Sequence, residues 1–413
     1  MPQFDIRFGS QFGPISRALS RSKLGAALIV LQVALTVAIL ANALPVVLER
    51  IEKVSRSSGV AESELFVVLA SDPDMKRDLP SRLAAERQRL LAVDGVAEAS
   101  YTSSFPNGGS GWSTGVDADL AKGPTHNSVL YFSDTHALNT LGVTLKAGRW
   151  FDAREIQTFG ETTEMNPKTI VITEALAEKL FSGSSAIGKR VSIVPDPKVL
   201  ESEVIGVVSN VALPWVNWGD YYLSSFVPYT SAGTAYWLVR TKAGQDVEAV
   251  MTKAIDALAK GDRSVIYGTD KRTLTSARKD AYASDIVLCF LLSTFTLLLI
   301  AVTVLGIVGL ASFWVVQRTR MIGVRRAMGA RRRDITGYFR QENLLLSGTG
   351  ALLGIALAYG LNYVLSQSMD AKALPWWPVC FGALLLVCVG QLAVTQPARR
   401  AARIAPAIAT RSA

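Results

Sequence analysis

The residues able to do chemistry in this chain form no catalytic set. His126 and His136 are its only histidines, ten apart in a polar region without HExxH or a nearby cysteine, so ordinary surface or hydrogen-bonded histidines are expected, not metal ligands. Asp117/Asp119 and Glu161/Glu164 are pairs of acids, but a solvated loop is the default for each. Cys289, Cys380 and Cys388 fall inside apolar runs, and nothing has the make-up of a Ser/His/Asp nucleophile set. No G-x-x-x-x-G-K-[ST] occurs, so the ATP-phosphate loop is not in this chain, and Gly348-Thr349-Gly350 with Gly354 lacks dinucleotide-loop spacing. What remains is the chemistry of binding. Residues 317–342 hold eight arginines (318, 320, 325, 326, 331, 332, 333 and 340) against Asp334 and Glu342, a net +6.

The elements that must position those arginines are apolar. An uncharged run, Ile286–Val316, leads into the segment and Asn343–Met369 leads out of it. Met321, Val324 and Met328 recur at i, i+3, i+7, the period of one helix face, while Arg325 and Arg326 point elsewhere. Gly329 is the expected stop of that helix and Asp334 the expected N-cap of the next. Two readings stand side by side. The segment is either a short amphipathic helix that docks another protein, or an orientation signal that touches anionic lipid.

Half of the 413 residues are hydrophobic and the mean hydropathy is positive, which predicts a few spans plus a sizeable folded domain. Charge is unevenly placed: residues 1–23 carry +3, 49–285 carry −4, 317–342 carry +6 and the tail 397–413 carries +4. With spans at 24–48, 286–316, 343–369 and 373–396, every positive block falls on one side, the cytoplasmic one, together with both termini. Topology thus explains the high pI, and nucleic acid drops out as a partner. Ala41-Asn42-Ala43 has the form of a signal-peptidase site, yet the long apolar run containing Gln32 and Thr36 favours a retained span. Thirty-one uncharged residues in span two reach ~46 Å as a helix, more than the ~30 Å of hydrocarbon. With the helix-compatible residues 275–285 in front, 275–316 is expected to project as a stalk, unless tilt absorbs the surplus. Gly350 and Gly354 form GxxxG, which allows close helix packing, and Trp376-Trp377 suits an interfacial belt.

Residues 49–285 are expected outside the membrane as an α+β domain without cysteine, and so without disulfides. Strand, helix, strand is predicted at 64–70, 80–93 and 96–105, and again at 234–241, 245–260 and 263–268. The two halves (about 60–105 and 232–274) form one split βαβ subdomain around a shared sheet, with a mostly β insertion at about 106–230. Trp215, Trp218, Tyr221 and Tyr222 lie in its most aromatic run, either packed in the core or exposed for a partner.

Residues 304–365 resemble the membrane domain of MacB/FtsX-type ABC permeases. Their hallmark is an RTREIGIRRALGARRRDI-like sequence after a span, then a glycine-rich span. Arg318-Thr319-Arg320 and Ile322 through Asp334 follow it, with Met321 where an acidic residue is usual. Span one, LIVLQVALTVAILANAL, is similar to the family's first span. Leu141-Gly142-Val143, the stretch Lys146–Phe151, residues 169–193 with a helix from Glu174 to Phe181 and a turn at Gly188, and residues 202–211 resemble the MacB-like periplasmic core domain.

The resemblance implies a four-span permease in a bacterial inner membrane, coupled to a separate cytoplasmic ATPase that carries ATP and Mg, and paired with a second or paralogous permease copy. The docking helix would comprise Met321, Ile322, Gly323, Val324, Arg325, Arg326, Met328 and Gly329. Motion, not a tunnel, would reach the exported domain for efflux of drugs, peptides or lipid-like substrates, with a periplasmic adaptor and outer-membrane channel as further partners. Regulation of a cell-wall hydrolase and lipoprotein release are the family alternatives, and a membrane-anchored sensor or scaffold the alternative of another class.

Overall fold

The computed structural model describes residues 23–74, 77–118, 126–160, 165–193, 200–369 and 373–404. The basic segment before Lys23, Asp119, Glu161, Glu164, the 370–372 turn and the tail beyond 404 lie outside the described residues. The chain divides into two compact units, 56–284 and the remainder.

Helix α1 (Lys23–Ser55) opens the chain. The 56–284 unit then reads β1 (Leu65–Ser71), α2 (Leu79–Leu91), β2 (Val96–Thr102), β3 (Trp112–Asp117), β4 (His126–Phe132), α3 (Ala137–Leu141), β5 (Leu145–Gly148), β6 (Gln157–Phe159) and β7 (Thr169–Thr173). It continues through α4 (Glu174–Phe181), β8 (Arg190–Ile193), β9 (Leu200–Val208), β10 (Ser224–Val227), β11 (Tyr229–Ser231), β12 (Thr234–Thr241), α5 (Val247–Gly261), β13 (Ile266–Thr273) and α6 (Leu274–Ala281).

Strands from the two ends of this unit share one sheet, in the order β13-β1-β12-β2 with every neighbouring pair antiparallel. Each half is thus a β-α-β whose two parallel strands are separated by a strand of the other half, the split arrangement expected. Side chains alternate across a strand. Phe66, Val68 and Ala70 of β1 therefore join Leu90 of α2 and Val250, Ala254 and Leu258 of α5, whereas Leu65 and Val67 join Val129, Tyr131 and Phe226 of the insertion. Burial on both faces is why β1 is apolar without interruption. The insertion is a seven-stranded sheet, β5-β9-β7-β10-β4-β3-β8, and a β8–β9 pairing closes six of its strands into a ring. Val116, Phe132, Ile170, Ile172, Val191 and Val204 belong to the core of that layer.

Two expectations shift here. The strand predicted from Arg263 begins at Ile266 instead, because the Asp262 carboxylate accepts the Ser264 backbone N–H at 2.9 Å and turns the chain first. No unbroken stalk runs from residue 275 into span two. Helix α6 ends at Ala281, Tyr282 leaves helical geometry (φ −99°, ψ 3°), and the buried Leu274 and Ala277 hold α6 in the core beneath the sheet.

The remaining helices are α7 (Ala283–Gln317), α8 (Thr319–Ala327), α9 (Arg332–Met369) and α10 (Trp376–Ala401). Among the described residues α1, α7, α9 as far as Val364, and α10 are long and apolar enough to cross a membrane. Their packing uses small residues and paired polar ones. A Cβ on Gly350 would lie 2.8 Å from Val33 Cβ, and one on Gly354 2.6 Å from the Ala34 carbonyl oxygen, so the GxxxG face of α9 sits against the backbone of α1. Nothing lies within 4 Å of a Cβ built on Gly348 or Gly360. Two polar side chains of α1 reach other spans: Thr36 Oγ1 and Thr303 Oγ1 are 2.9 Å apart, and Asn42 Nδ2 donates to the Ala358 carbonyl as well as to that of Ala38 in its own helix. The Ala41-Asn42-Ala43 triplet lies mid-helix, with Ala41 fully buried. Helix α1 runs beyond the expected Leu48, and in that extension Arg50 and Lys53 reach the buried Asp285 carboxylate at 2.5 and 2.8 Å.

Candidate functional site

The 317–342 connection is pinned at four points by side chains that face its own helices. Arg318 forms the turn between α7 and α8. Its Nη1 donates to both oxygens of Glu342, at 2.9 and 2.7 Å, and its guanidinium stacks 5.6 Å over the Trp314 ring. Glu342 is buried, so a carboxylate at the start of an apolar run has its counter-ion supplied from the connection itself. Ile322, 2% exposed, packs in one cluster with Ile335, Tyr338, Phe339, Ala398 and Ala401. Arg325 lies 5.0 Å over the Tyr338 ring. Arg326 Nη1 donates to the Ala402 and Ile404 carbonyls at 2.8 and 3.2 Å, which holds the end of α10 against α8.

The ends of α8 follow from local rules. Gly329, at φ +98°, donates to the Arg326 carbonyl while Ala330 donates to that of Arg325, the paired bonds of a Schellman stop. Gly329 therefore ends the helix as expected. Asp334 is not the N-cap of α9. It sits one turn in, and its carboxylate accepts the Arg331 backbone N–H at 2.7 Å, the reciprocal half of a capping box.

With one side fixed, the opposite side of α8 stands open: Met321 is 37% exposed, Val324 44% and Met328 76%. Of the eight residues expected to dock a partner, Met321, Val324 and Met328 share this apolar face, and Gly329 is exposed beside it. Ile322 and Gly323 are buried, and the half-buried Arg325 and Arg326 contact the chain's own Tyr338 ring and the Ala402 and Ile404 carbonyls. The Arg318–Glu342 pair, which the sequence reading missed, is the anchor at the entry. Its signal was an acid at the mouth of an apolar run, where a charge demands a partner.

Elsewhere the aromatic run resolves towards the core. Tyr221 is buried and donates to Asn107 Oδ1 at 2.7 Å, so it offers no surface to a partner. Trp215 and Trp218 are half-buried, 4.9 Å apart and packed on the core. Trp215 Nε1 donates to the Gly109 carbonyl, and the Tyr222 hydroxyl to that of Ser57. The domain's own backbone satisfies these polar handles.

Comparison with known proteins agrees with both halves of the chain. Residues 24–257 match the MacB-like periplasmic core domain, and residues 293–406 the FtsX-like permease C-terminal domain. The macrolide export ATP-binding/permease protein MacB of Chromobacterium violaceum is 28% identical over 254 residues, 58% of this chain and 37% of that protein. The uncharacterized ABC transporter permease YknZ of Bacillus subtilis is 24% identical over 250 residues, 58% of this chain and 61% of its own. The chain thus spans less than two thirds of the length of either relative. The crystal structure of the periplasmic region of MacB from Actinobacillus actinomycetemcomitans aligns with 55% of this chain and 97% of its own, at 12% identity and a TM-score of 0.34. The core-domain match alone covers more than half of the residues: the chain belongs to the MacB/FtsX-type ABC permeases.

Proposed function

We propose that this chain is a permease subunit that carries ATP-driven motion from a separate cytoplasmic ATPase to its exported domain, with the outer face of α8 as the ATPase-docking surface. The observation that carries the reading is the two-sided character of α8: one side is locked to α9 and α10, and the other presents Met321, Val324 and Met328 to solvent. An isolated apolar face of this kind has a partner to cover it. A helix held through Arg318–Glu342 and Arg326 passes a push to the spans instead of yielding to it. ATP and Mg would act on the ATPase. A second or paralogous permease copy completes the membrane assembly in this reading. A periplasmic adaptor and outer-membrane channel would serve efflux of drug-, peptide- or lipid-like substrates, the macrolide exporters among the relatives being the support for efflux.

The test is affinity purification of the chain from native membranes. An ATP-hydrolysing subunit is expected to co-purify, and its absence would leave a membrane-anchored sensor or scaffold as the reading. Orientation has its own check. Cysteines placed singly at the exposed Ser57 or Ser184, in a background lacking the three native cysteines, are expected to react with an impermeant thiol reagent in intact cells. One at the exposed Arg333 is expected to react only after lysis, and its labelling in intact cells would overturn the topology.

A further inference from the structure

The end of α10 carries a basic feature that the docking surface does not use. Leu392, Thr395, Gln396, Arg399, Arg400 and Arg403 line a cleft of about 440 Å³, with no carboxylate in its lining among the described residues. Positions 392, 396, 399 and 403 recur at i, i+4, i+7, i+11, which puts them along one side of the helix and the turn that ends it. That side is graded in polarity. It starts from Leu392, 74% exposed on a helix apolar enough to cross a membrane, passes through a hydroxyl and an amide, and ends on three exposed guanidinium groups. The drop from 392 to 403 is ~16 Å at helical rise. Arg340 adds a fourth guanidinium at the rim, its Nη2 donating to Thr395 Oγ1 at 3.2 Å. The arginine-bearing turn is also held in place, because Arg326 donates to the Ala402 and Ile404 carbonyls on either side of Arg403.

We propose that this cleft binds one anionic phospholipid, its phosphate on Arg399, Arg400 and Arg403, its ester region beside Thr395 and Gln396, and an acyl chain along Leu392. The complementarity is that of a single amphiphile. A guanidinium offers a phosphate paired, charge-assisted hydrogen bonds, and an exposed leucine above it needs hydrocarbon. A zwitterionic headgroup brings its own cation against the three arginines of the cleft, so charge selects the anionic lipid.

Native mass spectrometry of the full chain in detergent, titrated with phosphatidylglycerol or with phosphatidylcholine, tests the assignment. The wild type is expected to retain phosphatidylglycerol preferentially and to keep it when millimolar inorganic phosphate is added. R399Q/R400Q/R403Q should weaken the tightest phosphatidylglycerol site on the order of 100-fold, at about 1 kcal/mol per arginine. R331Q/R332Q/R333Q, in the exposed connection, should leave that site intact, and L392Q should weaken it by a smaller factor through the acyl contact. Equal retention of the two lipids, displacement by inorganic phosphate, or unchanged binding by R399Q/R400Q/R403Q would each overturn the proposal. So would an arginine variant that turned an oligomer into a monomer without losing lipid, since the face would then belong to a second copy of the chain.

Discussion

Glu342→Ala is expected to destabilise the helical unit by about 3–5 kcal/mol, because it strands the Arg318 guanidinium in a site built for a pair. The two Arg318–carboxylate distances, 2.9 and 2.7 Å, and the burial of Glu342 keep the carboxylate side of the ion pair out of bulk water. The size of the effect separates this pair from Arg190–Glu201, which lies largely exposed at 3.0 Å and whose loss is expected to cost at most about 1 kcal/mol. Replacing both partners, as Arg318→Met with Glu342→Leu, should recover most of the loss, since no charge then lacks a partner. Thermal unfolding in detergent reads all three variants. A Glu342→Ala protein as stable as wild type would show that the pair is solvated and does not fix the entry of α8.

A second large effect is expected where α9 meets α1. Alanine in place of glycine ordinarily stabilises a helix interior by up to about 1 kcal/mol. At Gly354 the added methyl would lie 2.6 Å from both the Ala34 carbonyl oxygen and Val37 Cβ, and the carbonyl is backbone that no rotamer change can move. Overpacking of this kind costs about 1–3 kcal/mol, which exceeds the propensity gain, so Gly354→Ala should destabilise the unit. At Gly360 nothing lies within 4 Å, and the same substitution should be neutral or slightly stabilising. The pair of variants, compared by unfolding in one detergent, isolates the contact from the general glycine effect. Equal melting temperatures for the two would contradict the close approach of α9 to α1.

The spans were legible because an uncharged run of 25 or more residues has few alternatives. The split sheet was legible because strand, helix and strand recur in the same order on both sides of a glycine- and aromatic-rich stretch. Gly329 was legible as a stop because the positive φ it takes favours glycine. What stayed hidden depends on partners far along the chain. Arg326 reads as one more positive charge until Ala402 and Ile404 come beside it, and Asp285 reads as a boundary residue until Arg50 and Lys53 close on it. The break at Tyr282 was hidden because residues 275–285 have no local helix breaker; burial of Leu274 and Ala277 in the domain core decides it. The inward packing of Ile322 and Gly323 in the docking segment was hidden for the same reason. A family match marks the whole stretch, and only packing tells which side of α8 is already occupied.

The docking claim itself is tested most directly by Val324→Asp, purified together with the ATPase and assayed for retained complex and coupled ATP turnover. Val324 is the middle of the open apolar face and has 44% of its surface free. Each such side chain buried in a groove contributes about 1.5–3 kcal/mol, and an unpartnered carboxylate forced into the same groove is more costly than the contact it removes. Val324→Asp is expected to insert in the membrane normally but to lose the ATPase or its coupled turnover. Arg332→Ala, on the exposed basic flank where an ion pair to the ATPase would be worth roughly 0–1 kcal/mol, should keep both. A Val324→Asp protein that retains its ATPase and turns over ATP at the wild-type coupled rate would contradict the claim and leave residues 317–342 as a signal for topology and lipid.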